Sequence, residues 1–356
     1  MAITMNIIYA LLIAMHLHAS CSGDAITPYK FSEAEVAQMQ KKGLSSLEVS
    51  QYQVPPSCRF TTPRSNQNAP DIVYYMSRPN RDTYPIIFLC GGSTSKESLG
   101  SIIHFHRHFM QECMDIGAAV ITVELWGIDG TSINEQECMH HYTRSQRLQD
   151  HISIIETLKK NPPQGWNGKL IFLGVSEGGP LVTSLTIHYD KDTLATVNWC
   201  GAGDYSWREQ LWSFLKAMKK NTPWYIKWPL QVRMMLPSWA PFSIDFPKNE
   251  AEYHQRMDAT LTNPSCDEYF LGMTHKYHAD AILYPKPSYE KIVTPFLVVA
   301  GAQDSIIEES DAFVQKAHDA GVNITYIRVP DMDHYIRKRP DIIAQSFQWL
   351  EEQVVP

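Results

Sequence analysis

The sequence predicts an α/β fold in which a mostly parallel β-sheet is covered by helices on both faces. From Asp71 onward, apolar runs of strand length alternate with amphipathic stretches of helical period. The strand-like runs are continuously apolar, which is typical of strands buried on both faces of a parallel sheet. Of 356 residues, 44% are hydrophobic and 19% are charged, a composition that supports a large core.

The predicted strands and helices follow one another in a regular order. Strands are expected at residues 72–76, 86–90, 118–125, 169–173, 196–200, 295–300 and 323–329, and helices at 98–114, 145–158, 177–188, 307–320 and 340–353. The first two strands flank a turn at residues 79–82. Residues 24–70 are polar and loop-like, with one short helical pattern at 32–42.

One segment, residues 204–291, interrupts the alternation and predicts a cap over a core formed by residues 71–203 and 292–356. Open α/β sheets bind ligands at the carboxyl edge of their strands, where such an insertion would lie. Five tryptophans fall in the cap: 207, 212, 224, 228 and 239. An apolar acyl pocket, a lipid contact and a lid with its own small core all stay open as alternatives. Four nearby basic residues favour a pocket with a basic rim: Lys219, Lys220, Lys227 and Arg233.

The first twenty residues are predicted to be a leader, and residues 21–70 an N-terminal extension. Residues 7–17 are apolar over a span too short to cross a bilayer, and small residues follow. This pattern predicts export, either as a secreted protein or as a cell-envelope lipoprotein. The step into Cys21 resembles a bacterial lipoprotein processing site, where Cys21 would be lipidated and attach the chain to a membrane. A disordered apolar leader is the alternative.

Charge and cysteine content exclude some classes of partner and leave the redox state open. The net charge is −7 and no long basic run occurs, which argues against nucleic acid as a partner. The seven cysteines form no CxxC motif, so no disulfide pairing can be assigned. Cys90 and Cys200 lie inside strand-like runs and are typical of buried free thiols.

Residues 174–178, Gly-Val-Ser-Glu-Gly, form a G-x-S-x-G motif that follows a predicted strand and opens a predicted helix. This context is that of a nucleophile elbow, in which the serine occupies a strained turn with φ above zero. Gly174 and Gly178 meet the requirement for small residues on either side of Ser176. The turn leaves the amide N–H of Glu177 at a helix N-terminus, directed to where an oxyanion would form.

At this elbow the chain resembles the α/β-hydrolase superfamily, over roughly residues 71–355. The resemblance implies an acid and then a base after the nucleophile, each following a late strand. Asp304 and His334 occupy those places. It also implies an oxyanion loop after the strand that ends at Cys90, where Gly92 (or Ser93) would supply the second backbone donor. Ser176, His334 and Asp304 would then be the catalytic triad.

The resemblance and the triad predict a serine hydrolase that acts on a small-molecule or acyl ester. Thioesters and amides are neighbouring substrates in the same chemistry, so a serine peptidase or aminopeptidase is an alternative. A non-catalytic envelope lipoprotein that uses the fold for binding is another. Asp331 and Asp333 flank His334 and compete with Asp304, but side chains so near in sequence seldom reach the far ring nitrogen.

Two groups of histidines are candidate metal ligands. His104, His106 and His108 form an H-x-H-x-H run without an accompanying Glu or Cys, so a solvated helix face is favoured over a metal site. His275 and His278 are interpreted in the same way. The sequence has no glycine-rich loop typical of nucleotide binding, and neither a cofactor nor a metal is predicted.

Overall fold

The computed structural model describes residues 58–354, except for residues 65, 67, 68, 131, 202, 205 and 222–246. The strands are β1 (Cys58–Thr62), β2 (Ile72–Ser77), β3 (Tyr84–Cys90), β4 (Ala119–Val123), β5 (Ile128–Asp129), β6 (Ser132–Ile133), β7 (Trp166–Val175), β8 (Thr193–Trp199), β9 (Tyr269–Phe270), β10 (Met273–Thr274), β11 (Phe296–Gly301) and β12 (Ile324–Val329). The helices are α1 (Ile103–Asp115), α2 (Glu135–His141), α3 (Arg144–Lys160), α4 (Gly178–His188), α5 (Trp207–Asn221), α6 (Glu250–Thr262), α7 (His275–Leu283), α8 (Ile307–Asp319) and α9 (Pro340–Val354).

Eight of these strands form one sheet in the order β1-β2-β4-β3-β7-β8-β11-β12. From β4 to β12 every neighbouring pair is parallel, whereas β2 is antiparallel to both β1 and β4. The predicted mostly parallel sheet is therefore confirmed. Strands β2 and β3 follow each other along the chain but do not pair, because β4 lies between them.

Helices cover both faces of this sheet, as the continuously apolar strands predict. Alternate residues of a strand point to opposite faces, and in β3 Ile87 and Leu89 belong to one buried cluster while Ile86 and Phe88 belong to another. Helices α1 and α9 pack on the first cluster, and α3 and α4 on the second. The parallel strands thus bring their carboxyl ends, and the loops that follow them, to one edge.

Strand β1 and helix α2 are not among the predicted strands and helices. Strand β1 falls within the predicted N-terminal extension and pairs antiparallel with β2 at the edge of the sheet. Its sequence of five residues, CRFTT, is too short and too polar to give a clear strand signal. Helix α2 is a seven-residue segment capped by the side chain of Asn134, and its strongly polar sequence hides the helical period. The predicted helix at residues 32–42 lies outside the described residues.

The described part of the cap segment (residues 204–291) has a buried cluster of its own. Trp207, Tyr253, Phe270 and Tyr277 pack together there, and Tyr142 from the core side joins them. Trp224, Trp228 and Trp239 lie outside the described residues, as do Lys227 and Arg233 and the side chains of Lys219 and Lys220. The predicted basic rim therefore stays a prediction.

The described cysteines and helices bear on two further expectations. Five cysteines, 90, 113, 138, 200 and 266, are free thiols. Burial raises the pKa of Cys90 and of Cys200 to about 12, so both are inert thiols packed in the core. Among the helices described, none combines the length and hydrophobicity that a membrane span requires. The leader and Cys21 lie outside the described residues.

Candidate active site

Ser176 lies on a sharp turn between β7 and α4, with a φ of 52°. Its N–H donates to the Trp199 carbonyl at 2.8 Å, which fixes the turn to the neighbouring strand. A Cβ on Gly174 would lie 2.4 Å from the Gly178 carbonyl oxygen, and one on Gly178 would lie 2.1 Å from that of Cys90. Only glycine fits at these two positions, so the G-x-S-x-G spacing is a steric requirement of this elbow.

The structure brings Ser176, His334 and Asp304 into one chain of hydrogen bonds. His334 Nε2 lies 2.9 Å from Ser176 Oγ, and His334 Nδ1 lies 2.8 Å from Asp304 Oδ2. A carboxylate only accepts, so Nδ1 carries the proton and Nε2 is left to accept from the serine hydroxyl. The Asp304 side chain is 1% exposed and that of His334 is 25% exposed, so the imidazole is partly open to solvent while its carboxylate partner is buried.

The neighbouring aspartates of His334 are engaged elsewhere. Asp331 accepts from Arg339 Nη1 at 2.5 Å, and Asp333 accepts from Lys338 Nζ at 2.5 Å and from the Tyr335 N–H at 2.8 Å. Asp304 is held by its own helix start, since Oδ1 accepts from the Ile306 N–H at 3.1 Å. The geometry therefore places Asp304, and not its two competitors, at the far ring nitrogen.

The two candidate oxyanion donors flank the serine. Glu177 is the N-cap residue of α4, so its peptide lies at a helix N-terminus. Gly92 comes from the loop after β3, and a Cβ there would lie 3.3 Å from Ser176 Cβ and 3.8 Å from its Oγ. Ser93, the alternative donor, lines the same cleft. The glycine at residue 92 therefore lets the loop approach the serine closely.

The model of a family described as having the α/β-hydrolase fold matches residues 141–337, more than half of the chain. The chain belongs to this α/β-hydrolase family. No protein of curated function matches its sequence. The structure is similar to that of Est1E from Butyrivibrio proteoclasticus, with a TM-score of 0.51 and 14% identity over 83% of this chain and 98% of that one. It is also similar to a proline iminopeptidase from Mycobacterium smegmatis, with a TM-score of 0.53 and 13% identity over 83% and 98%.

A cleft of about 850 Å³ opens above Ser176 in this α/β-hydrolase. Its walls are mainly apolar and come from the α1 side, from the cap and from the loop that carries His334. The apolar lining residues are Phe105, Phe109, Val175, Trp207, Leu211, Phe214, Leu271, Met273, Ile306 and Ile336. The cap segment thus has its own core and also supplies one wall of the cleft.

The side chain of Glu177 is the centre of a buried polar cluster that sequence reasoning missed. One oxygen accepts from Arg144 Nε at 3.0 Å and from the Tyr277 hydroxyl. The other accepts from the Tyr142 hydroxyl at 2.7 Å and from Arg147 Nη1 at 3.2 Å. Burial alone would raise the pKa of Glu177, but Arg144 and Arg147 overcome it and hold the pKa below its usual value.

This cluster joins three parts of the α/β-hydrolase. Arg144 and Arg147 lie in the first turn of α3, Tyr277 belongs to the cap helix α7, and Glu177 follows Ser176 at the elbow. Burial raises the pKa of both phenols, so Tyr142 and Tyr277 stay protonated and donate. One feature of the sequence could have indicated this cluster: Glu177 lies between Ser176 and Gly178 at the elbow, and a carboxylate that is buried there needs cations as partners.

The histidine interpretations need correction. His106 is fully buried, between Ser77 Oγ at 2.9 Å and Thr122 Oγ1 at 3.0 Å, and burial lowers its pKa to about 3. The prediction of a solvated face was wrong for it, because α1 turns this residue toward the sheet. His104 and His108 line the cleft.

His278 is also buried, where a solvated position was expected. Its Nδ1 accepts from Trp207 Nε1 at 2.9 Å, which leaves Nε2–H to donate to the Phe270 carbonyl at 2.7 Å. The two bonds connect α7 to α5 and to β9 within the cap. His275 lies 3.3 Å from a carboxylate oxygen of Glu268. Across the described part of the chain, no three His, Cys, Asp or Glu side chains are grouped as metal ligands would be.

Proposed function

We propose that this α/β-hydrolase is a serine hydrolase that cleaves a carboxylic ester through an acyl-enzyme on Ser176. The observation that carries the proposal is the imidazole of His334, which lies within hydrogen-bond distance of both Ser176 Oγ and the buried Asp304 carboxylate. A serine, a base and a residue that orients the base are the parts that activate a hydroxyl for nucleophilic attack.

The reaction follows from these roles. His334 Nε2 takes the proton as Ser176 Oγ bonds to the acyl carbon, and the N–H groups of Gly92 and Glu177 stabilise the oxyanion. His334 then gives the proton to the leaving alcohol as the carbon–oxygen bond breaks. A water molecule, deprotonated by the same imidazole, then attacks the acyl carbon; the bond from this carbon to Ser176 Oγ breaks, His334 returns the proton to Oγ, and the acid leaves. Asp304 keeps the ring in the required tautomer throughout.

The lining of the cleft favours an ester over an aminopeptidase substrate. An aminopeptidase needs a carboxylate that can pair with the substrate's amino group. Among the lining residues described, Glu177 is the one acidic side chain, and both of its oxygens are already bound by arginines and tyrosines. The apolar walls instead suit an uncharged acyl or aryl group. Thioesters and other amides share the chemistry and remain a second substrate class.

The proposal is tested with a fluorophosphonate probe and short p-nitrophenyl esters. Wild type should be labelled and should hydrolyse the esters, whereas Ser176→Ala should lose labelling and about five to six orders of magnitude in kcat. The half-buried Ser153→Ala on α3, outside the cleft described, is the control for loss of a hydroxyl. A folded wild type that resists labelling, or a labelled Ser176→Ala, would favour the non-catalytic binding alternative.

From the leader sequence we further propose that the enzyme is exported and that Cys21 attaches it to a membrane through a lipid. Incorporation of labelled palmitate by wild type, and its loss in Cys21→Ser, would support the anchor. Export without incorporation would point to a secreted enzyme.

A further inference from the structure

We propose that Arg147 is a positioning residue that sets the direction of the oxyanion-hole N–H groups, with Glu177 as its anchor. The proposal rests on the proposed function, because an oxyanion hole has a purpose only if Ser176 attacks an acyl group. It concerns a side chain that lies behind the hole and away from the substrate, on the first turn of α3.

The first step is the contact between Arg147 and the oxyanion loop. Arg147 Nη2 donates to the Gly91 carbonyl oxygen at 2.6 Å. The Gly91 carbonyl and the Gly92 N–H belong to one planar trans peptide, in which the two groups point in opposite directions. A guanidinium that holds the carbonyl on one side therefore turns the Gly92 N–H to the other side. Gly92 is the residue that packs against Ser176.

The second step is that Arg147 also binds the residue that carries the other donor. Its Nη1 donates to Glu177 Oε2 at 3.2 Å. One rigid, planar guanidinium thus spans both halves of the hole, the loop after β3 and the elbow after β7. Outside the helices and strands of the described chain, neither the Gly92 N–H nor the Glu177 N–H donates to a backbone carbonyl.

Tyr142 repeats this bridge at the other end of the loop. Its hydroxyl donates to Glu177 Oε2 at 2.7 Å and accepts from the Thr94 N–H at 3.1 Å. The loop of residues 91–94 is therefore held at both ends by side chains that converge on one carboxylate. The two residues between these contacts, Gly92 and Ser93, face the cleft.

Charge adds to this geometric effect. Arg147 and Glu177 are buried, with side chains 9% and 2% exposed, so their interaction is weakly screened. A cation at the Gly91 carbonyl polarises the peptide and strengthens its N–H as a donor on the opposite side. A buried ion pair is weak evidence for stability, because apolar side chains of equal volume often do as well. What apolar side chains could not supply is the hydrogen bond that fixes the orientation of the peptide between Gly91 and Gly92.

The test compares binding of an analogue that forms an oxyanion with binding of one that does not. A trifluoromethyl ketone matched to the best ester adds Ser176 Oγ to its carbonyl carbon, and the serine proton passes to His334. The matched secondary alcohol fills the cleft without forming an oxyanion. Arg147→Met should lower kcat by roughly 10- to 100-fold, less than outright removal of a donor, with KM nearly unchanged. Trifluoromethyl ketone affinity should fall by a similar factor, and alcohol affinity should not change.

Two matched variants separate positioning from the loss of a buried cation. Arg64→Met removes another buried arginine that pairs with α3, through Asp150 at 2.8 Å, and should leave kcat unchanged. Arg144→Met takes a cation from Glu177, but the hydrogen bonds described for Arg144 go to Glu177 and Gln210 and not to the oxyanion loop, so its loss in kcat should be smaller than that of Arg147→Met. If Arg147→Met fails to fold, Arg147→Lys, whose single ammonium cannot reproduce the fork, should show the same pattern.

The inference fails if Arg147→Met binds the ketone as tightly as wild type, or if ketone and alcohol lose affinity equally. Fluorophosphonate labelling keeps this failure distinct from failure of the proposed function. A wild type that is not labelled would refute the serine mechanism itself. A labelled wild type with an unaffected Arg147 variant would refute only the positioning role.

Discussion

Two buried carboxylates lie near Ser176, and they differ in what they bind. Asp304, 1% exposed, faces the imidazole of His334, whose charge changes during proton transfer. Glu177, 2% exposed, faces Arg144 and Arg147, whose charges are permanent. The partner of Asp304 would take part in the proposed proton transfer, whereas the partners of Glu177 keep their charges and hold the elbow in one arrangement. Burial of a carboxylate beside a nucleophile therefore does not by itself define its role; the partner does.

The largest expected effect tests the carboxylate that faces His334. Asp304→Asn keeps the volume but presents an amide where Nδ1–H needs an acceptor, so the wrong tautomer is favoured and kcat should fall about 10⁴-fold. The free energy of unfolding should change by less than about 1 kcal/mol, because no permanent charge loses its partner. Ester hydrolysis and urea denaturation measure the two quantities.

Asp333→Asn is the matched control, since this residue precedes His334 but contacts Lys338 and the Tyr335 N–H. It should keep most of the activity. If Asp333→Asn abolishes hydrolysis and Asp304→Asn does not, the roles of the two aspartates are the reverse of those proposed.

An intermediate effect, on stability, is expected for the second carboxylate, Glu177. Glu177→Gln leaves Arg144 and Arg147 buried without a counter-charge, so the free energy of unfolding should fall by roughly 3–5 kcal/mol. Guanidinium or thermal denaturation measures this. Asp304→Asn should therefore remove activity with little loss of stability, whereas Glu177→Gln should mainly reduce stability. Equal stability losses in the two variants would contradict this expectation.

The smallest effect concerns a third buried carboxylate, Glu124, which has no cation among its hydrogen-bond partners. It accepts from Tyr75 Oη at 2.9 Å, from the Ile102 N–H at 3.0 Å and from the Ser101 hydroxyl. Burial raises its pKa from the usual 4.5 to about 7, against the lowering effect of these hydrogen bonds. A raised folded-state pKa contributes stability that is complete below pH 4.5 and is lost as the pH rises through 7.

Wild type should therefore lose up to about 3 kcal/mol of stability relative to Glu124→Gln between pH 5 and pH 8. Urea denaturation at intervals across this range gives the difference between the two proteins. The exposed Glu351→Gln on α9 serves as the control and should show a constant difference from wild type. A constant difference for Glu124→Gln as well would mean that Glu124 titrates normally.

The sheet and the grouping of the three candidate triad residues could be predicted because their signals are local. Residues 170–173 of β7 and 296–300 of β11 are apolar runs; Ser176 follows β7 directly, and Asp304 lies in the turn after β11. Chain order then placed His334 after β12. Each step needed only a strand, the residue after it and the rule that parallel strands end at one edge.

The Glu177 cluster could not be predicted, because its members are brought together only by the fold. Tyr277 lies in the cap, 100 residues from Glu177, and Arg144 lies 33 residues before it. In the sequence, Arg144 and Arg147 look like polar residues at a helix start, where solvent is the usual partner. The burial of His106 was missed for the same reason. The rotation of α1 about its axis decides which histidine of the run faces the sheet, and three histidines are too few to reveal that rotation in the sequence.

The position of β12 in the sheet has a consequence for how this enzyme would fail. In the described chain β12 pairs with β11 alone and forms one margin of the sheet, whereas β7 lies inside it with neighbours on both sides. His334, the proposed base, therefore follows an edge strand that is bonded on one side, whereas Ser176, the proposed nucleophile, follows an interior strand that is bonded on both sides. We expect heat or denaturant to separate His334 from Ser176, and so to abolish the proposed activity, before the rest of the sheet unfolds.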